Sequence, residues 1–127
     1  MALRKQYHFR PSQRGYRAWS VERLVALART LPTQQIALSD IAEIDEPYWF
    51  DDSSGKATCR DIAEHARLID EAELRFPIIL SSDHRVMDGM HRVLKALNAG
   101  LSTVEAVIFE KDPEPDYVDV LPDDLPY

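Results

Sequence analysis

The sequence predicts a small α+β domain, built from one mixed sheet with flanking helices. Its 127 residues are 45% apolar, which suits a single core of ordinary size. Short runs typical of strands alternate with segments of helical periodicity. Their order along the chain is helix, strand, loop, helix, two strands, helix, strand. Alternation of this kind favours a compact mixed fold over an all-helical or an all-β one.

Three helices are predicted, each with its own end signals. Ser20 can cap the first helix, and Pro32 ends it. Thr58 and Asp61 resemble a capping box at the start of the second helix, although Glu or Gln is the usual partner. Gly100 closes the third helix. The predicted ranges are Val21–Leu31, Cys59–Asp70 with Ile62, Ala66 and Ile69 facing inward, and Met90–Ala99.

Short apolar runs bounded by polar turns predict four strands. An acidic loop rich in aromatic residues occupies positions 45–57, and residues 39–44 either continue the first strand or form one turn. The predicted strands are Gln35–Leu38, Phe76–Leu80, Arg85–Met87 and Val104–Phe109.

The two ends of the chain carry opposite charges. Residues 1–19 contain five basic groups and no acid, and residues 112–127 contain six acids and no base. We predict a basic N-terminal arm (1–19), a central domain (20–110) and an acidic, proline-rich tail (111–127). The arm would be irregular, with a short strand near Tyr7–Phe9, and the tail extended. Such ends attract each other within one molecule or across a homodimer, and we expect the homodimer.

The composition also limits which partners the protein is expected to bind and in which cellular compartment it is expected to lie. The formal net charge of −7 disfavours nucleic acid as the main partner, although the basic arm leaves DNA contacts open. Cys59 is the one cysteine, which excludes a disulfide framework. No apolar run reaches the roughly 18 residues of a membrane helix, and the first residues have no signal-peptide core. We therefore expect a cytoplasmic protein with no membrane partner.

The run Asp88-Gly89-Met90-His91-Arg92 stands where a strand turns into a helix. A glycine at such a junction lets a ligand approach the backbone closely. The helix start favours an anion, and His91 and Arg92 add donors suited to phosphate oxygens. The residues alone thus indicate a phosphate site, but the pattern also fits a helix start that Asp88 merely caps.

The stretch from Gln35 to Phe109 resembles the ParB/sulfiredoxin superfamily. The resemblance rests on a Pro-Ile-Ile-Leu strand (77–80), on Asp-Gly-Met-His-Arg (88–92) opening a helix with Leu-Lys-Ala-Leu (94–97), and on a closing strand after Gly100. Members of this superfamily bind the phosphates of ATP or CTP at a corner of this kind. The resemblance therefore implies a ParB/sulfiredoxin-like fold that binds a nucleoside triphosphate together with Mg²⁺.

The same resemblance assigns roles to individual residues. Asp88 would hold Mg²⁺ or orient a hydroxyl group, which makes it the candidate catalytic residue. Two positions at the start of the second helix would give a further phosphate contact. The implied nucleotide-binding residues are Gly89, Met90, His91, Arg92, Thr58 and Arg60.

The chain departs from the superfamily at two points, and each departure argues against one activity known in the superfamily. Sulfiredoxins have a catalytic cysteine directly before the His-Arg pair, where this chain has Met90. A thioether cannot attack as a thiolate does, so sulfiredoxin chemistry is not expected. The partition proteins carry a helix-turn-helix domain after the nucleotide fold, and this sequence stops at Tyr127. Operator binding of that kind is therefore not expected either.

Two classes of function stay open. The first is a nucleotide-binding domain that transfers phosphate to a small molecule or hydrolyses the nucleotide. The second is a non-catalytic module of a partition, plasmid or phage system that works through protein or DNA contacts. Nuclease activity is disfavoured, because the sequence shows no metal-binding carboxylate cluster.

The loop at positions 45–57 has two interpretations. Its aromatic residues would stack on a base or cover the pocket as a lid, or they pack under the loop. One acid of the region would serve as a general base, and the sequence does not single one out. His65 and His84 are expected at the surface. The aromatic residues are Tyr48, Trp49 and Phe50, and the acids are Glu43, Asp45, Glu46, Asp51 and Asp52.

Overall fold

A computed structural model describes residues 6–50 and 56–127 of the chain. In this part of the protein, three α-helices and seven β-strands alternate with short 3₁₀ turns. No helix within the described ranges is long and apolar enough to cross a membrane. In chain order the elements are β1 (Tyr7–Pro11), β2 (Tyr16–Ser20), α1 (Val21–Ala28), β3 (Gln34–Ala37), α2 (Cys59–Glu71), β4 (Ile78–Leu80), β5 (Val86–Asp88), α3 (Met90–Asn98), β6 (Thr103–Ile108) and β7 (Tyr117–Val120).

The central sheet has the strand order β3-β6-β4-β5. Strand β6 runs parallel to β4, and the pairs β3–β6 and β4–β5 are antiparallel. The predicted mixed sheet with flanking helices is thus confirmed at the level of an α+β fold. All four predicted strands form, with ends shifted by up to two residues.

Both faces of the central sheet are covered. Ile78 and Leu80 belong to one buried cluster with the inner face of α3, whereas the intervening Ile79 belongs to a second cluster with Trp19 and Leu24. Successive strand residues point to opposite faces, so this alternation places α3 on one side and α1 on the other. Each fully buried aliphatic side chain stabilises such a core by about 1.5–3 kcal/mol.

A second sheet joins the two ends of the chain, in the order β1-β2-β7. The irregular arm predicted for residues 1–18 is therefore wrong where the structure describes it, although the short strand near Tyr7–Phe9 is confirmed within β1. Strand β2 pairs with β1 and, on its other edge, with β7 of the tail. The Trp19 indole donates to the Pro113 carbonyl at 2.7 Å, which ties the tail to the core.

Two acids of the tail bind groups near the start of the same chain. The Asp116 carboxylate accepts from the Ser20 N–H at 2.7 Å and pairs with the Arg23 guanidinium at 2.7 Å. Ser12 donates its hydroxyl to Asp119 at 2.7 Å. These contacts order the two ends against each other without a second chain, and the homodimer stays a prediction.

Helix α2 differs from its predicted packing. Its capping box forms, but no residue of the helix is buried. Ile62 and Ala66, both predicted to face inward, are exposed, Ile62 to 58%. The reason is position: α2 packs against α3 rather than against the sheet, so its apolar side covers only part of another helix. Ile69 is half-buried and agrees with the prediction.

Candidate functional site

Gly89 stands at the junction of β5 and α3 in a left-handed conformation, with φ of +105°. A β-carbon at this position would lie 2.8 Å from Cγ2 of Ile78, closer than packed carbon atoms can approach. The glycine is therefore required by backbone conformation and by packing on β4. No side chain caps α3, so the predicted role of Asp88 as a simple helix cap is wrong.

Asp88 and Arg92 form an ion pair with 2.9 Å between Oδ2 and Nη2. Nη1 of Arg92 also donates to the carbonyl oxygens of Phe76 and Pro77, at 3.1 and 2.7 Å. Both members of the pair are mostly buried, with less than a fifth of each side chain exposed. Arg92 thus joins the start of α3 to the segment before β4. Strand β4 starts at Ile78 and not at Phe76 because the Phe76 N–H donates to the Glu73 carbonyl in a turn and Pro77 has no N–H.

His91 points to a different neighbour from Arg92. Its Nε2 lies 2.9 Å from Nδ1 of His65 on α2, a hydrogen bond in which one ring nitrogen donates and the other accepts. Both imidazoles stack on the Trp49 indole, with ring centroids 4.1 Å away for His65 and 4.4 Å for His91. Phe50 meets His65 edge-on at 5.2 Å. We call these four residues the imidazole–indole stack.

The stack corrects one sequence-based expectation. His65 was expected at the surface as an isolated group, but it is half-buried and bonded to His91. Trp49 of the loop covers two imidazoles, and the stacking of this loop on a base stays a prediction. His84 agrees with the prediction: it is exposed in a turn, with φ of +63°.

We expect acidification to weaken the fold through the stack. Burial, assisted by the neighbouring His65, lowers the pKa of His91 from 6.5 to about 4. The unfolded chain then takes up a proton at higher pH than the folded one, so stability is full above about pH 6.5 and falls as the pH drops toward 4. Urea denaturation of wild type and His91→Phe at pH 7 and pH 5 measures this effect.

The phenylalanine variant keeps a flat ring on Trp49 and removes the titration. The urea concentration at the midpoint of unfolding should therefore change less between the two pH values in this variant than in wild type. His8, whose pKa burial also lowers to about 4, contributes equally to both proteins. An equal pH dependence would show that His91 does not resist protonation.

The start of α2 contains the other predicted phosphate contacts. The Thr58 hydroxyl accepts the Asp61 N–H at 3.1 Å, and the Asp61 carboxylate accepts the Thr58 N–H at 3.0 Å, so this hydroxyl is used as a helix cap. Arg60 is exposed, and so is Cys59. Thr58 precedes His65 by about two helical turns, or roughly 10 Å at 1.5 Å per residue. Residues 51–55, including Asp51 and Asp52, lie outside the described residues.

The described acids of the loop region differ sharply in environment. Glu43 is 2% exposed, whereas Asp45 and Glu46 lie at the surface. The Tyr48 hydroxyl donates to the Val86 carbonyl at 3.4 Å. Charge does not distinguish Glu43 from the neighbouring acids in the sequence. Its placement between two apolar residues, Ile41 and Ile44, was the one available signal.

A cavity of about 360 Å³ lies between α1 and the central sheet, and Asp88 and Arg92 line it together with mostly apolar residues. The side chains of residues 88–92 therefore lie on two different surfaces. Asp88 and Arg92 are on the α1 side, and His91 is on the α2 side. Within residues 6–50 and 56–127, no group of three or more His, Cys, Asp or Glu side chains is placed to hold a metal ion. The predicted role of Asp88 in holding Mg²⁺ stays a prediction.

Comparison with protein-family models, with curated proteins and with solved structures found no match to this chain. The resemblance to the ParB/sulfiredoxin superfamily thus rests on the motif residues alone. What the structure itself establishes is a small mixed α+β fold with two sheets and three helices in its described part.

Proposed function

We propose that this protein binds a nucleoside triphosphate, ATP or CTP, at the surface formed by the starts of α2 and α3. The observation that carries the proposal is the imidazole–indole stack beside the uncapped start of α3. Helix starts attract anions through their N–H groups and dipole. The imidazole N–H that the His65–His91 hydrogen bond leaves free adds a donor for a phosphate oxygen, and the flat aromatic rings add a surface for a base.

The positive charge for the phosphates would come from α2. Arg60 lies in the first turn of that helix and is exposed, and it makes no ion pair within the described residues. Arg92 is committed to Asp88 and to two carbonyl oxygens, so its part in binding is to position the start of α3. Magnesium would enter with the nucleotide, bound to the phosphate oxygens. A role for Asp88 in holding this ion would require it to leave its pair with Arg92 on the α1 side. Phosphate transfer to a small molecule, or hydrolysis, would follow from this binding.

Thermal-shift measurements with ATP, CTP, GTP and ADP, with and without Mg²⁺, test the proposal. A nucleotide at 100 times its dissociation constant should stabilise the fold by about 2.7 kcal/mol. We expect His91→Ala and Arg60→Ala to reduce the shift. His84→Asn is the matched control, because it removes an exposed histidine elsewhere and asparagine tolerates positive φ.

A second candidate function is a module that binds another macromolecule. It is favoured by α2, which has an apolar side but no buried residue, and by the 58% exposure of Ile62. A helix with such a face is often covered by a partner. Absence of a thermal shift with every nucleotide would contradict the first proposal and favour this one.

A further inference from the structure

A second cavity, of about 570 Å³, lies between the β1–β2 hairpin, residues 43–48 and the turn that joins β4 to β5. We call it the hairpin cavity. None of the predicted nucleotide-binding residues lines it. Its polar lining is balanced in formal charge, with three guanidinium groups and three carboxylates. These are Arg10, Arg17 and Arg85, and Glu43, Glu46 and Asp83.

Glu43 is the buried acid of this cavity. Its Oε2 accepts the N–H of Val86 and lies 3.6 Å from Nε of Arg85. Its Oε1 is buried and has no hydrogen-bond partner within the described residues. A buried carboxylate oxygen without a donor destabilises the fold, because the water that it loses on burial is not replaced. Such groups are rare, and each needs an explanation, such as a water molecule, an ion or a ligand that binds there.

The three guanidinium groups are not equally engaged. Arg85 forms a two-point pair with Glu46, at 2.9 and 2.6 Å. Arg10 is 3.4 Å from Asp83, which is at the limit of a hydrogen bond. Arg17 lies over the Trp19 ring, 5.5 Å from its centroid, and makes no ion pair within the described residues. The cavity thus contains one unpaired cation in addition to the one unpartnered carboxylate oxygen.

The remaining polar groups of the cavity are neutral near pH 7. Burial lowers the pKa of His8 to about 4 and raises the pKa of Tyr48 to about 12. A ligand with only a negative charge would be repelled by three carboxylates, and a ligand with only a positive charge would be repelled by three guanidinium groups. A molecule with one charge of each sign satisfies both unpaired groups and keeps the cavity neutral.

We propose that the hairpin cavity binds a small zwitterion of the amino-acid class, with its ammonium group donating to Oε1 of Glu43 and its carboxylate paired with Arg17. The proposal goes beyond the nucleotide site, which lies at the starts of α2 and α3. The arginine would hold the carboxylate through a charge-assisted, two-point contact of the kind that guanidinium groups favour.

A ligand series of increasing charge separation tests the proposal on the full chain. Glycine, β-alanine, 4-aminobutyrate and 6-aminohexanoate are titrated by heteronuclear NMR, with acetate and propylammonium as single-charge controls. At least one zwitterion should shift resonances of the cavity residues, and neither control should do so at the same concentration. Saturable binding by a zwitterion, with a preferred chain length, is the expected result.

Two substitutions then locate the ligand. Glu43→Gln keeps the shape of the side chain, and Arg17→Gln removes the unpaired cation. Each should weaken binding by about tenfold or more, the scale of one lost charge-assisted hydrogen bond. Arg14→Gln is the matched control, because it removes an exposed arginine of the same hairpin that does not line the cavity.

Three results would overturn the proposal: no zwitterion binds, acetate or propylammonium binds as well as the zwitterions, or affinity survives Arg17→Gln. Should Glu43→Gln fail to fold, the half-exposed Arg17 variant decides the matter. The nucleotide titrations are independent of all three, so failure here leaves the nucleotide site to be judged on its own.

Discussion

Replacement of Gly89 by valine is expected to destabilise the fold by about 3 kcal/mol or more. Two effects add at this position. A β-branched residue at φ of +105° is strained by about 1–3 kcal/mol. Its β-carbon would also overlap Cγ2 of Ile78 at 2.8 Å, and overpacking of a core typically costs about 1–3 kcal/mol. Urea denaturation, with the midpoint converted to a free energy of unfolding, measures the sum.

Gly100→Val is the matched control for this prediction. Gly100 also has positive φ, +76°, but an added β-carbon there meets no atom within 4 Å. The control therefore carries the strain without the overlap and should destabilise the fold clearly less than Gly89→Val. Equal losses in the two variants would show that the contact with Ile78 is relieved at no cost, so that backbone conformation alone requires the glycine.

Arg92→Ala is expected to lower the free energy of unfolding by about 3 kcal/mol, a loss typical of breaking a largely buried ion pair. The substitution leaves the Asp88 carboxylate without its cation and removes the donor from the carbonyl oxygens of Phe76 and Pro77. The sequence presented Arg92 as a residue free to bind phosphate. Its contacts indicate instead that the fold itself depends on it.

Arg67→Ala is the control, since Arg67 also pairs with carboxylates, of Glu64 and Glu71, but is 53% exposed. Exposed ion pairs contribute about 0–1 kcal/mol, so this variant should melt close to wild type. Losses of the same small size in both variants would contradict the structural role of Arg92. The guanidinium would then be available to a ligand, and the nucleotide titrations should be repeated with Arg92→Ala.

Local features of this protein were predictable from the sequence because they depend on residues within one turn of each other. The Ser20 cap of α1, the Thr58–Asp61 capping box of α2 and the left-handed Gly100 after α3 all formed as expected. The strands of the central sheet were predictable for a similar reason, since runs such as Ile78–Leu80 are apolar throughout and are buried on both faces.

The candidate site was predictable only in part. The sequence identified the junction at Gly89 but treated residues 88–92 as one surface. Neighbouring positions on a helix point about 100° apart, so His91 and Arg92 meet different elements. That argument was available from the sequence. The identity of the neighbours was not, because the His65–His91 contact depends on how α2 packs against α3.

Tertiary structure alone decided the second sheet and the hairpin cavity. Strands β2 and β7 come from opposite ends of the chain, and their opposite charges fitted an intramolecular and an intermolecular pairing equally well. Glu43 was one acid among several until folding buried it beneath the hairpin. Capping and periodicity are local properties that a sequence encodes directly. Burial and pairing between distant segments depend on how the whole chain packs, and they are seen only in the folded molecule.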